Sequence, residues 1–137
     1  MGMIHAEITL KNAIDVANAR SGLIKEQDVR QIAVQALVDT GAWTLIINEE
    51  IREKLGVEAT RTEMGALPDG TQVMYKLAGP LEVRWKDRVT DCDAMVLPGA
   101  EDVLLGIIPL EAMDLTVNLS TGELTGAHGN QIMHAIK

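Results

Sequence analysis

Apolar and polar residues alternate along most of the chain. Ile4, Ala6, Ile8 and Leu10 fall on one face of an extended segment, with His5, Glu7 and Thr9 between them. A period of two is the mark of a half-buried strand. Residues 29–38 repeat it, Ile32, Val34, Ala36 and Val38 alternating with polar Gln31 and Gln35. Residues 12–25 have no clear period and fit a loop or a second hairpin. Residues 43–47 are a short apolar run, and Asn48 is placed to cap a helix over 48–55. Glu49, Glu50 and Glu53 suit the positive end of that helix dipole, Lys54 suits the other end, and Gly56 is a stop signal.

The second half reads as hairpins. Residues 64–78 carry Pro68-Asp69-Gly70-Thr71, a turn in which Pro fixes φ and Asp-Gly tolerates positive φ. Leu81, Val83 and Trp85 alternate, Lys86-Asp87 can turn, and residues 89–97 can return. Pro98-Gly99 breaks that strand. Residues 103–105 form a short strand of buried character ending at Gly106. A short helix is predicted over 107–114, with Pro109 tolerated in its first turn. Leu115, Val117 and Leu119 alternate, residues 120–123 turn, and Leu124 begins a return; residues 128–137 fit a frayed helix or a strand. Many short strands punctuated by turns predict an all-β fold, a barrel or sandwich with one or two short helices.

Composition narrows the functional classes. The 137 residues fit one domain, 1–137. With no Phe, two Trp and one Tyr, the core must be aliphatic. A formal net charge of −8 and the lack of any Lys/Arg run argue against a nucleic-acid partner. No apolar stretch approaches the roughly 20 residues that span a bilayer, so no membrane partner is expected. The single cysteine, Cys92, excludes an intramolecular disulfide, and no signal peptide is visible. A cytoplasmic location is the expectation.

One short stretch stands apart. Asp39-Thr40-Gly41 lies between the apolar flanks Ala36-Leu37-Val38 and Ala42-Trp43-Thr44-Leu45. Asp, Thr and Gly are ordinary turn formers. A carboxylate between such flanks is expected to be partly desolvated, however, which is unfavourable unless it is paired or protonated. Placements of that kind mark candidate functional sites.

Ala36-Leu37-Val38-Asp39-Thr40-Gly41-Ala42 resembles the active-site motif of the retropepsin-like aspartic proteases: apolar residues, Asp, Thr or Ser, Gly, then Ala or Ser. Val103-Leu104-Leu105-Gly106 and the helix after it resemble the family's second signature, an apolar strand ending in Gly. Between the two, Leu67, Pro68, Asp69 and Gly70 lie where the family carries its flap, a hairpin over the substrate. The resemblance covers roughly residues 29–119. It implies a single-lobe, closed acid-protease-like β-barrel. In retroviral members an Arg commonly follows the second Gly and braces fold and dimer; here Ile107 follows Gly106.

The resemblance also implies an aspartic endopeptidase that hydrolyses peptide bonds with a water activated by two carboxylates. The chain holds one such motif, so the pair would be Asp39 from each subunit of a homodimer. By the same resemblance Thr40 braces the two loops across the interface. Gly41 keeps a Cβ away from the water site. Ala42 and Trp43 open the substrate groove, although Trp43 fits a core aromatic at the dimer edge as well. Met64, Met74 and Tyr75 fit either substrate contact or gap filling in the core. The expected partner is a peptide or protein. The rival reading is a non-catalytic peptide- or protein-binding dimer with the same fold. No cofactor is expected. His5, His128 and His134 lack metal-ligand spacing, and Cys92 between Asp91 and Asp93 is a poor thiolate.

Overall fold

The computed structural model describes residues 4–66 and 69–128. The elements run β1 (His5–Asn12), α1 (Ala13–Arg20), a 3-10 turn (Glu26–Asp28), β2 (Gln31–Val38), β3 (Leu45–Ile47) and α2 (Glu49–Leu55). They continue with β4 (Glu58–Ala66), β5 (Gln72–Trp85), β6 (Arg88–Val96), β7 (Val103–Leu105), α3 (Ile107–Ala112), β8 (Leu115–Asn118) and β9 (Glu123–Gly126).

Seven strands form one sheet in the order β1-β2-β7-β3-β6-β5-β4, and a further β1–β5 pairing closes six of them into a barrel. The strand β4 extends beyond the ring as the partner of β5. The expected all-β closed barrel is the observed fold. Its core is aliphatic: Ile8, Leu10, Leu45, Ile47, Leu105 and Leu110 are among its fully buried side chains. Each contributes about 1.5–3 kcal/mol by leaving water. Among the described residues no helix is long and apolar enough to cross a membrane.

The strand β1 follows its pattern, with Ala6, Ile8, Leu10 and Asn12 turned inward. Asn12 is polar yet buried, and both ends of its amide are used. Its Nδ2 donates to Leu55 O at 2.9 Å, and its Oδ1 accepts from Asp15 N at 3.0 Å. The second bond caps α1, so residues 12–25 begin with a helix and not with the expected loop or hairpin. This helix buries Asp15 and no apolar residue, so no hydrophobic stripe announces it. Asn12 three residues before Asp15 was the available signal.

Asp15 accepts from Arg30 three times: from backbone N at 3.0 Å, from Nε at 2.8 Å and from Nη2 at 2.9 Å. Those bonds hold its carboxyl below the ordinary value of 3.8, against the opposing effect of burial. A depressed folded-state pKa gives stability that is complete above the unfolded value and lost as pH falls through the folded one. The Arg30 side chain is half exposed, which screens the pair. Asp15→Asn is expected to lower stability by about 1–2 kcal/mol at neutral pH. The difference should vanish as urea titrations are taken well below pH 4.

The helix α2 ends as its sequence predicts. Ile51 N donates to Asn48 Oδ1 at 2.9 Å, and Gly56 closes the helix at φ +64°. The strand β5 departs from expectation. The pattern predicts a hairpin over 64–78 and a separate alternating strand at Leu81, Val83 and Trp85; the return of the hairpin and that strand form one strand of 14 residues with a register shift between Ala78 and Leu81. The shift brings β6 close: a Cβ on Gly79 would sit 3.2 Å from the Asp93 Cα.

Candidate active site

The loop of residues 39–44 joins β2 to β3, and β7 runs between those two strands. Val38 pairs with Leu105 in parallel, and Ile46 pairs with Leu104 antiparallel. The loop therefore passes over the end of β7 and is tied to the first residues of α3. Asp39 N donates to Leu105 O at 3.0 Å. In return, Ile107 N donates to Ala42 O at 2.8 Å and Ile108 N donates to Trp43 O at 2.9 Å. Those two N–H groups open α3 and have no partner within the helix. The loop carbonyls satisfy them, so α3 needs no capping side chain and Gly106 can occupy its N-cap.

Gly106 is required by proximity. Its backbone is extended, yet a Cβ there would lie 2.6 Å from Ala42 O, 2.8 Å from Thr44 N and closer still to Thr44 O. All three are backbone atoms that cannot rotate away. The sequence-predicted pair of segments, Asp39–Ala42 and Leu104–Gly106, is brought together at this crossing.

Within the loop, Gly41 N donates to Asp39 Oδ1 at 2.9 Å and Ala42 N to Asp39 O at 3.1 Å. The first bond orients the carboxylate. A Cβ on Gly41 would press on Asp39 Oδ1 at 3.1 Å. Among the described residues no cation forms an ion pair with Asp39. In this single chain Asp39, Thr40 and Gly41 are exposed, which corrects the expected partial desolvation. The flanking apolar residues belong to the barrel strands, while the carboxylate projects from the barrel's end. Trp43 is 45% exposed and so is not part of this barrel's core.

The hairpin β4–β5 is present. Leu67 and Pro68 lie outside the described residues. At the tip Thr71 N donates to Asp69 Oδ1 at 2.8 Å, Gly70 adopts φ +89°, and hydrogen bonding to Thr71 lowers the Asp69 carboxyl pKa. Met64 and Met74 are direct cross-strand partners, each 57% exposed, so neither fills the core. Tyr75 donates its hydroxyl to Glu63 Oε2 at 3.1 Å, which raises the phenol pKa.

Cys92 is half-buried on β6. Burial first, opposed by a hydrogen bond with Thr44, and then the charges of Asp93 and Asp91 push its thiol up to about 12. It should react with iodoacetamide at pH 8 far more slowly in the native protein than in urea, as read by mass spectrometry. Equal rates would contradict the burial. Among the described residues no cluster of His, Cys, Asp and Glu is arranged to hold a metal. A cavity of about 640 Å³ lies between β1, the β5–β6 turn and β9 and includes no residue of the Asp39 loop.

Residues 26–108, more than half of the chain, match the model of the aspartyl protease family. The chain belongs to the aspartyl protease family. The aspartyl protease match contains both segments of the crossing, from the Asp39 loop through Gly106 to the first turn of α3. The retroviral protease-like domain of Ddi1 from Leishmania major superposes with a TM-score of 0.57. It is 19% identical, with 91% of this chain and 88% of that chain covered, a likeness of fold. No curated protein matches this sequence.

Proposed function

We propose that this aspartyl protease family member is an aspartic endopeptidase, active as a homodimer in which Asp39 of each chain supplies half of one catalytic pair. The observation that carries the reading is the locked Asp39-Thr40-Gly41 loop. Its carboxylate is oriented by the Gly41 N–H, lies uncovered in one chain and has no ion-pair partner among the described residues.

The chemistry comes from placing two such loops face to face. A residue near a two-fold axis meets its own copy. Two carboxylates about 4 Å apart repel by about 4 kcal/mol at an effective dielectric near 20. That separates their two titration steps by about three pKa units. Between the steps the pair holds one proton. The ionised member takes a proton from water as that water attacks the peptide carbonyl, and the protonated member gives its proton to the carbonyl oxygen. Thr40, exposed beside Asp39, is available to bond the opposite loop. A second chain would complete the groove over the exposed Asp39 loop. The β4–β5 hairpin is in sequence position to cover a bound peptide.

The reading is tested by incubating the protein with a pool of peptides and identifying products by mass spectrometry between pH 3 and pH 8. Cleavage confined to a pH window bounded by two ionisations, with a rate per chain that falls on dilution, supports it. A rate per chain independent of concentration across the dissociation range contradicts the shared pair.

A further inference from the structure

We propose that the cavity beside the Asp39 loop, floored by Trp43 and Ile108 and edged by Asp91 and Asp93, receives a lysine or arginine side chain of the bound peptide. The inference rests on the peptidase reading for how the side chain is presented. Its selectivity rests on the cavity itself.

The cavity holds about 270 Å³, just under the roughly 300–1,000 Å³ of small-molecule sites, and suits one long side chain. Trp43 lies four residues beyond Asp39, and the bond from Ile108 N to Trp43 O fixes the floor to the same crossing that holds Asp39. Trp43 and Ile108 are each 45% exposed, an apolar surface that one chain leaves half uncovered. Leu77 of β5 and Arg61 of β4 complete the wall, so the cavity spans from the catalytic loop to the base of the hairpin.

The charge on this wall is predominantly negative, two carboxylates to one guanidinium. Asp91 and Asp93 are exposed on β6, and among the described residues neither has an ion-pair partner. Arg61 is engaged by Glu63 at 3.0 Å, so that pair cancels. Two carboxylates without an ion-pair partner among the described residues, next to an exposed indole, fit a cation on an aliphatic stem. The stem packs on Trp43 and Ile108, the charge meets the ring face and the carboxylates, and all three contacts favour the same ligand. An acidic side chain would be repelled. A purely apolar one would strip water from the carboxylates without compensation. The net charge of −8 adds long-range attraction for a basic peptide.

The test uses one random peptide library in two arms. In the first, the Asp39→Asn protein retains peptides that are then sequenced. In the second, the unsubstituted protein cleaves the library and the products are sequenced. Enrichment of Lys and Arg over Ala of about tenfold at one fixed position is expected in both arms. The double variant Asp91→Asn/Asp93→Asn should reduce it to about twofold or less, and Asp91→Lys/Asp93→Lys should turn the preference toward Glu and Asp. Raising salt from about 0.05 to about 0.5 M should shrink it. Both pairs lie on an exposed strand face, and circular dichroism verifies folding. Cleavage with no basic preference at any position overturns the inference and leaves the peptidase reading standing. So does a basic preference that survives both double variants. If nothing is cleaved, the peptidase reading fails on its own. Retained peptides then decide: basic enrichment lost with Asp91 and Asp93 supports the cavity, and no enrichment overturns it.

Discussion

Asp39→Asn is expected to reduce peptide cleavage by at least 10²–10⁴-fold, about the worth of acid–base catalysis, while the barrel and the dimer persist. Asn is nearly the same size and keeps an oxygen to accept from Gly41 N, so the loop geometry survives. It cannot ionise, so a pair of Asn residues holds no transferable proton. The measurements are cleavage kinetics and sedimentation of the variant beside the unsubstituted protein. Cleavage lost with the dimer retained assigns Asp39 to the chemistry. The rival binding module predicts unchanged peptide binding and no cleavage by either protein.

The second large effect belongs to a single methyl group. Gly106→Ala is expected to destabilise the fold by about 3 kcal/mol or more, at or above the usual range for overpacking. The Cβ would meet three backbone atoms of residues 42 and 44, and relief requires moving the loop that carries Asp39. Because total stability is typically about 5–15 kcal/mol, much of the protein would be lost on mild heating. The folded remainder should also cleave slowly, since the displaced loop misaims its carboxylate. Gly122→Ala is the internal control. It too replaces a glycine, at φ +68°, but nothing lies within 4 Å of its Cβ. Its cost should be the backbone term alone, about 1 kcal/mol. Urea denaturation of the two variants separates close approach from conformational strain.

Much of this architecture was legible in the residues. The alternation of β1, the Asn48 cap and Gly56 stop of α2, and the short apolar strand ending at Gly106 all form as their chemistry dictates. The closed barrel came from the resemblance carried by residues 36–42 and 103–106 and not from periodicity, which left barrel and sandwich open. The helix α1 has no apolar stripe because it packs a carboxylate inward, which left the Asn12 cap as its sequence signal. The continuity of β5 was hidden because the hairpin pattern ends at Ala78, yet a shifted register carries the strand on to Leu81. Asp39 shows a further limit. Apolar neighbours report the burial of the strands on either side, but not where the side chain between them points. The cavity at Trp43 was beyond reach for another reason. Ile108, Asp91 and Asp93 are distant in sequence and meet Trp43 only because β3 lies between β7 and β6.

Whether two chains share one catalytic pair is read from mixed dimers. Unsubstituted protein and Asp39→Asn protein are combined in varying ratios at constant total concentration, allowed to exchange subunits, and assayed for cleavage. If each site needs an ionisable Asp39 from both chains, activity falls as the square of the unsubstituted fraction. A linear fall would mean that each chain works with its own Asp39 alone, and the shared pair would have to be abandoned.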